Sequence, residues 1–225
     1  MLALLKRLAS WLPRPWQQEL KRQHFARLIK KGQFSADEPE FERLAEWVRP
    51  GDWVLDIGAN VGQYTIRLSE LVGASGRVIA FEPVPPTFEL LAANVARSRF
   101  ANVTLVNAAA SDGVGIVGMA VPPLDTGLDN YYMAHLTEEG GGLQVVSLPI
   151  DSVRLPATVA LAKIDVEGHE LKALRGMETM LVRDHPRLIV EGRSGDVASF
   201  LGRLGYVHED TARSPNRVFR HPDGR

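Results

Sequence analysis

Residues 54–62, Val-Leu-Asp-Ile-Gly-Ala-Asn-Val-Gly, decide the fold, because an apolar run leads straight into a turn with two glycines. A short apolar run bounded by turn residues predicts a buried strand. Gly58 and Gly62 allow the backbone to turn sharply and to approach a ligand closely. A dinucleotide-binding turn has the pattern G-x-G-x-x-G, but Asn60 and Gln63 occupy its second and third glycine positions here. The turn therefore favours a ligand that has no pyrophosphate.

Strand patterns alternate with helical patterns in the sequence around this turn. We predict strands at 53–57, 77–81, 103–106, 159–164 and 187–190, helices at 64–71, 86–96, 170–181 and 197–204, and a closing hairpin at 206–208 and 217–220. Parallel neighbours need crossover connections, so the alternation predicts an α/β, Rossmann-like fold with a seven-stranded, mostly parallel sheet and helices on both faces. Ligands of such sheets bind beyond the carboxyl ends of the strands.

The composition is that of one globular domain, with 225 residues, of which 45% are hydrophobic and 24% charged. The chain has no cysteine, which excludes disulfides, thiolate-bound metals and cysteine nucleophiles. Any metal would be held by Asp, Glu, His or water. The lack of cysteine is compatible with a reducing compartment, and no apolar run is long enough for a signal peptide or a membrane span, so we expect a cytoplasmic protein.

Charge is distributed unevenly along the chain. Residues 1–33 hold eight Lys or Arg and one Glu, whereas residues 34–225 hold 18 Lys or Arg and 26 Asp or Glu. We expect a basic helical extension at 1–50, with one helix at 16–31 and another opened by a capping box at 35–38, and an acidic domain at 51–225. The acidic domain argues against nucleic acid as a partner.

Apolar side chains recur at helical spacing near the start of the chain, at Leu4, Leu5, Leu8, Trp11 and Leu12. Two interpretations stay open. A basic amphipathic helix can lie peripherally on an anionic membrane. Alternatively, the helix docks on the body of the protein as a lid.

Two acidic residues flank the glycine turn, Asp56 on the first strand and Glu82 directly after the second. They suit S-adenosylmethionine, which has no phosphate and presents an ammonium group, a sulfonium and a ribose diol. Glu82 is placed to accept hydrogen bonds from both ribose hydroxyls, and Asp56 is placed to serve the ammonium through water or backbone groups. The alternative is an ordinary turn with an acidic residue nearby by chance.

In these segments the sequence resembles the FkbM family of class I S-adenosylmethionine-dependent methyltransferases. The matching runs are LDIGANVG at 55–62 with Tyr64, FEP at 81–83, NAAASD at 107–112 and, most specifically, KIDVEGHE at 163–170. The resemblance implies the class I methyltransferase fold for 51–225, S-adenosylmethionine as the cofactor and methyl transfer, usually to a hydroxyl. The cofactor-binding residues are then Asp56, Gly58, Ala59, Asn60, Gly62, Tyr64, Glu82, Pro83, Ala109 and Asp165.

The run at 163–170 also suggests chemistry by itself. Asp165 ends a strand, so its carboxylate would lie in the ligand crevice, and Glu191 ends the next strand. Asp165 and His169 are the candidate catalytic residues, because a methyl acceptor must be aligned and lose its proton, and His169 has a suitable intrinsic pKa. The periodicity also predicts that Lys163 pairs with Asp165.

Other roles for the same residues stay open. Asp165, Glu191 and His169 could together hold Mg²⁺ or another divalent cation that lowers the pKa of an acceptor hydroxyl. Asp165 could instead cap the following helix, and His169 could be an ordinary solvated residue.

We predict an O-methyltransferase that acts on a hydroxyl of a small molecule or saccharide, held under a mobile lid formed by the turn-rich stretch at 121–142. One alternative is a cofactor-binding regulatory protein without turnover, and another is a nicotinamide-dependent oxidoreductase. A homo-oligomer is compatible with the sequence.

Overall fold

The computed structural model describes residues 12–122, 134–137, 142–209 and 214–224. The predicted amphipathic helix at 4–12 falls outside these residues except for Leu12, as do 123–133 and 138–141 of the predicted lid. The helices are α1 (Arg14–Lys30), α2 (Pro39–Trp47), α3 (Gln63–Val72), α4 (Pro85–Val95), α5 (Glu170–Arg175), α6 (Glu178–Asp184) and α7 (Gly195–Arg203). The strands are β1 (Trp53–Ile57), β2 (Arg77–Phe81), β3 (Val103–Val106), β4 (Ala109–Ala110), β5 (Gly115–Ala120), β6 (His135–Thr137), β7 (Leu143–Leu148), β8 (Val159–Ile164), β9 (Arg187–Glu191), β10 (Val207–Glu209) and β11 (Asn216–Arg220).

Seven strands form the main sheet, in the order β10-β11-β9-β8-β1-β2-β3. Strands β1, β2, β3, β8 and β9 run parallel, and β10 and β11 extend one side as antiparallel neighbours. The predicted seven-stranded, mostly parallel sheet is confirmed. The strand order reverses at β1, which has β2 on one side and β8 on the other. A crevice beyond the carboxyl ends forms at such a reversal, and ligands of open α/β sheets bind there.

The two faces of the sheet bury separate cores, because successive side chains of a strand point to opposite faces. In β1, Leu55 and Ile57 pack with α5, α6 and α7. On the other face, Val54 packs with Phe41 and Leu44 of α2 and with α3. Helix α2 lies within the predicted extension at 1–50, yet Leu44 is fully buried.

Helix α1 differs from α2 because none of its residues is buried. It lies along α4, where Gln18 Nε2 donates a hydrogen bond to the carbonyl oxygen of Pro86 at 3.0 Å. Trp16 and Leu20 of α1 are exposed. Among the described residues, no helix is both long enough and apolar enough to cross a membrane.

A second, four-stranded sheet that the sequence patterns did not predict has the order β4-β7-β5-β6. Strand β6 falls within the stretch predicted as a lid. The local strand signal is weak because Gly115 and Gly118 lie in β5, and glycine is depleted in strands. Met119 of β5 packs with Val84 and Ala109, so this sheet borders the crevice of the main sheet.

Helix boundaries depart from prediction at two places. The helix predicted at 170–181 is divided into α5 and α6 at Gly176, where the chain passes so close to Ser111 that a Cβ would lie 1.9 Å from its backbone oxygen. His169 is the N-cap of α5, so the interpretation of Asp165 as a helix cap is wrong. The predicted capping box at 35–38 is also wrong, since α2 begins at Pro39 and no side chain caps it.

Candidate active site

The glycine turn after β1 joins the ends of three strands. The N–H groups of Gly58 and Ala59 donate to the carbonyl oxygen of Phe81 at 3.0 and 2.8 Å, and Asp165 N–H donates to Ile57 at 3.0 Å. Gly58 has a φ of 81°, and a Cβ there would lie 1.7 Å from the backbone oxygen of Asp165. Only glycine fits this close approach, which sets the floor of the crevice.

Glu82 follows β2, and its carboxylate is held by the neighbouring backbone. Its two oxygens accept hydrogen bonds from the N–H groups of Asn60 and Val84, each at 2.9 Å. Asn60 has a left-handed backbone with a φ of 49°, which is an unusual conformation that asparagine tolerates well. Burial raises the pKa of Glu82 to about 7. A carboxylate oxygen has more than one lone pair, so the fixed group can still accept hydroxyl protons from a ligand.

A cavity of about 260 Å³ lies beyond the carboxyl ends of β1, β2, β8 and β9. The predicted site residues that line it are Gly58, Asn60, Glu82, Pro83, Ala109, Asp165 and Glu191. Glu38 and Glu167, which the sequence reasoning missed, also line this cavity. Glu167 lies in the same run as Asp165, so its residue type and place could have marked it. Glu38 comes from the segment between α1 and α2, where the sequence pattern placed it only in the predicted capping box at 35–38.

The predicted cofactor residues Asp56, Ala59, Gly62 and Tyr64 are not among the residues that line this cavity. Asp56 is fully buried, and its Oδ2 accepts a hydrogen bond from Thr65 Oγ1 at 2.5 Å. Burial raises the pKa of Asp56. Asp56 therefore ties α3 to β1, and the role predicted for it toward the ammonium, through water or backbone groups, stays a prediction.

A buried lysine and a second carboxyl group hold the carboxylate of Asp165. Lys163 Nζ lies 2.6 Å from Asp165 Oδ2, as the strand periodicity predicts. Against the effect of burial, Lys163 and a hydrogen bond with Glu191 lower the pKa of Asp165. The same hydrogen bond, together with burial, raises the pKa of Glu191 to about 9. The opposite shifts of the two pKa values favour the negative charge on Asp165 and the proton on Glu191.

The carboxylates of Asp165, Glu167 and Glu191 have oxygens within 4.8 Å of one another, close enough to surround one cation. His169, predicted as the third ligand, does not belong to this group. Glu167 and Gly168 both have left-handed backbones, with φ of 49° and 87°, and this turn separates His169 from Asp165. The predicted ligand set is corrected accordingly, with Glu167 in place of His169.

His169 instead faces a groove of about 970 Å³. Its Nε2 lies 2.9 Å from Ser111 Oγ. Burial, followed by the charge of Lys172, lowers the pKa of His169, so the imidazole is neutral at neutral pH. Leu136 of β6 lines both this groove and the smaller cavity. The two spaces are therefore neighbours, separated by the turn at 167–168 and the segment near Ser111.

A family model described as the methyltransferase FkbM domain matches residues 56–207. The chain belongs to the FkbM methyltransferase family. This FkbM protein is thereby placed among the S-adenosylmethionine-dependent methyltransferases, as the sequence motifs predicted, and the nicotinamide-dependent alternative loses its support. The match contains each residue named above as lining the cavity except Glu38.

Two proteins similar in sequence to this chain are named as methyltransferases. The chain is 30% identical over 198 residues to the 31-O-demethyl-FK506 methyltransferase FkbM of Streptomyces tacrolimicus, covering 71% of this chain and 74% of that protein. It is 28% identical over 141 residues to the hexuronic acid methyltransferase AglP of Haloferax volcanii, covering 61% and 55%.

Solved structures share the fold. The crystal structure of methyltransferase FkbM from Methylobacillus flagellatus KT aligns with a TM-score of 0.53 and 20% identity, covering 82% of this chain and 50% of that one. A SAM-dependent methyltransferase from Aquifex aeolicus aligns with a TM-score of 0.50 and 16% identity, covering 81% and 89%. The chain thus spans half the length of the solved FkbM structure.

The cavity fits S-adenosylmethionine in three respects. Gly58 lets the turn after β1 lie directly against the backbone of Asp165, which shapes the floor of the cavity. Glu82 presents a buried carboxylate for the ribose hydroxyls. Glu38, Asp165 and Glu167 also line the cavity, and their carboxyl groups suit a ligand that carries positive charge.

Proposed function

We propose that this FkbM protein transfers the methyl group of S-adenosylmethionine to a hydroxyl oxygen of a saccharide or another small polyhydroxylated molecule. The observation that carries the proposal is the pair of neighbouring carboxyl groups, Asp165 and Glu191, that lines the cofactor cavity, with Lys163 Nζ 2.6 Å from Asp165 Oδ2. The names of the two relatives, one with a 31-O-demethyl acceptor and one with a hexuronic acid, support an oxygen acceptor.

The residues that would hold the cofactor are those that line the cavity. Glu82 would accept hydrogen bonds from the ribose hydroxyls, and Ala109 would lie beside the adenine. The bound cofactor supplies a methyl group on a positively charged sulfur. The protein then has to place the acceptor oxygen in line with that methyl group, and orientation of this kind accounts for a large part of enzymatic rate enhancement.

Asp165 is the best candidate for orienting the acceptor hydroxyl and accepting its proton. Its carboxylate stays ionised because Lys163 lies 2.6 Å away, so it can accept a hydrogen bond from a hydroxyl. Glu191 supplies a hydrogen bond to the same carboxylate and fixes its orientation. A long acceptor would extend from this point into the neighbouring groove, where His169 and Ser111 can contact it.

Two variants separate this assignment from general-base catalysis by His169. We expect Asp165→Asn to lower kcat about 100-fold or more, with the affinity for S-adenosylhomocysteine changed only a few-fold. We expect His169→Ala to raise the KM of the acceptor and to change kcat little. Turnover with hydroxylated acceptors and calorimetric binding of S-adenosylhomocysteine give the two readouts.

Two other results would contradict the role of Asp165 or the proposed enzymatic activity. Loss of turnover in His169→Ala alone would make His169 the base and would contradict the role of Asp165. If the unmodified protein binds the cofactor but methylates no hydroxylated acceptor, the regulatory alternative replaces the enzyme.

The metal-assisted alternative is tested in the same assay. A cation on Asp165, Glu167 and Glu191 would have to compete with the ammonium of Lys163, which lies 2.6 Å from Asp165 Oδ2. We therefore expect turnover to persist in EDTA. Loss of turnover in EDTA with recovery in Mg²⁺ would instead assign these three carboxylates to a metal.

A further inference from the structure

A carboxylate from outside the sheet also faces the cofactor cavity. Glu38 is the N-cap residue of α2, and it lines the cavity together with Asp165 and Glu191. It lies outside the matched FkbM domain at 56–207. The cavity is therefore completed by the segment that precedes the domain.

Tyr64 fixes the position of Glu38. The hydroxyl of Tyr64 donates a hydrogen bond to Glu38 Oε2 at 2.5 Å, and the tyrosine is itself buried on α3. Burial, followed by the hydrogen bond with Glu38, raises the pKa of Tyr64, so the hydroxyl keeps its proton and remains a donor. Among the described residues, no hydrogen bond engages the other carboxylate oxygen, Oε1.

The contacts of Tyr64 show which end of the cavity Glu38 occupies. Lys163 Nζ lies 4.7 Å from the centre of the Tyr64 ring and 2.6 Å from Asp165 Oδ2. Glu38 is therefore on the β8 side of β1, whereas Glu82 follows β2 on the opposite side. If Glu82 holds the ribose, Glu38 faces the amino acid part of the ligand.

The charges at this end leave Glu38 available for a cation. The ammonium of Lys163 is already paired with Asp165, since its Nζ lies 2.6 Å from Asp165 Oδ2. Glu38 is bonded by a neutral hydroxyl. Asp56, the residue predicted for the ammonium group, is fully buried and bonded to Thr65.

We propose that Glu38 binds the α-ammonium group of the methionine part of the cofactor and is positioned for this by Tyr64. The proposal rests on the proposed function, since it takes S-adenosylmethionine as the occupant of the cavity. The segment that precedes α2 would then take part in distinguishing the complete cofactor from its adenosine part.

A pair of ligands tests the contact with the full chain. S-Adenosylhomocysteine carries the ammonium group, whereas 5′-methylthioadenosine has the same adenosine and thioether without the amino acid. We expect Glu38→Gln to weaken calorimetric binding of S-adenosylhomocysteine about tenfold or more, the size expected for a hydrogen bond to a charged group. Binding of 5′-methylthioadenosine should change less than about twofold.

Two further variants control the measurement. Glu42→Gln changes an exposed glutamate in the first turn of the same helix, and it should leave both affinities unchanged. Tyr64→Phe keeps the ring over Lys163 and removes the hydroxyl that orients Glu38. We expect it to weaken binding of S-adenosylhomocysteine selectively, but less than Glu38→Gln does.

The outcomes separate this proposal from the proposed function. If the unmodified protein binds both ligands and Glu38→Gln weakens neither of them, or weakens both equally, the ammonium contact is wrong and the cofactor site stands. If the unmodified protein binds neither ligand, the cofactor site itself is wrong and the role of Glu38 is overturned with it.

Discussion

Glu82 lines the cofactor cavity, and its environment shifts its ionisation towards neutral pH. Burial raises its pKa to about 7 against the help of two backbone N–H donors. The carboxyl group is thus protonated in part at neutral pH in the free protein. A ligand that donates hydroxyl groups to it favours the ionised form, so cofactor binding and ionisation of Glu82 are linked.

We predict that binding of S-adenosylhomocysteine becomes tighter as the pH rises from about 6 to about 8, because Glu82 ionises through its pKa of about 7. Glu82→Gln should weaken binding and flatten this part of the pH profile. Calorimetric titrations at several pH values measure both effects. An unchanged pH profile in Glu82→Gln would mean that another group is responsible.

In the protein without ligand, the free energy of unfolding changes with pH in the opposite direction to the ligand affinity. A raised carboxyl pKa means that the folded state holds the proton longer than the unfolded chain does. The contribution of Glu82 to the free energy of unfolding therefore falls as the pH rises from 4.5 to about 7. Stabilisation by the ligand instead increases between about pH 6 and 8, because the ligand binds the ionised form of Glu82.

At the scale of elements, helix α2 connects the N-terminal segment with the domain. Leu44 is fully buried and packs in the same core as Val54 of β1 and Tyr64 of α3. Because Glu38 is the N-cap residue of α2, the packing of this helix also determines where Glu38 lies relative to the sheet. The predicted boundary at residue 50 follows the last predicted helix of the extension, whereas the core extends across this boundary.

We predict that Leu44→Ala lowers the free energy of unfolding by about 2–5 kcal/mol, the range for removing a buried leucine side chain. Urea denaturation measures the change. The exposed Glu42→Ala on the same helix should stay within about 0.5 kcal/mol of the unmodified protein. A loss for Leu44→Ala no larger than that of its control would show that α2 is not part of the folded core.

The main sheet could be predicted because its central strands are buried on both faces and form continuous apolar runs, such as the one that ends at Ile57. The second sheet could not, since its short strands contain glycines and gain stability only by pairing with one another. The predicted helix divides at Gly176, where the chain contacts the backbone of Ser111. A contact between residues so far apart in the sequence leaves no signal in the helical periodicity.

The site was predictable where a residue ends a strand of the sheet. Glu82, Asp165 and Glu191 all reach the cavity for that reason. Glu38 depends on its contact with Tyr64, which brings distant parts of the chain together. His169 was misplaced as a metal ligand because the left-handed turn before it is not visible in residue spacing.

Across the whole molecule, charge is divided unevenly between the N-terminal segment and the rest of the sequence. The basic residues at 1–33 precede an acidic domain, and α1 lies along α4 with Trp16 exposed. Peripheral contact of this segment with an anionic membrane and assembly into a homo-oligomer stay predictions. The acidic domain itself suits a cofactor that carries positive charge.

The most direct test of the cofactor site is the thermal unfolding midpoint of the full chain with and without S-adenosylhomocysteine. Ligand at about 100 times its Kd stabilises a folded protein by about 2.7 kcal/mol, which corresponds to a rise in Tm of roughly 5–10 °C for a chain of this size. We predict such a rise, and none with a nicotinamide dinucleotide at the same concentration. Equal stabilisation by the dinucleotide, or no stabilisation by S-adenosylhomocysteine, would contradict the assignment of the cavity between Glu82 and Asp165.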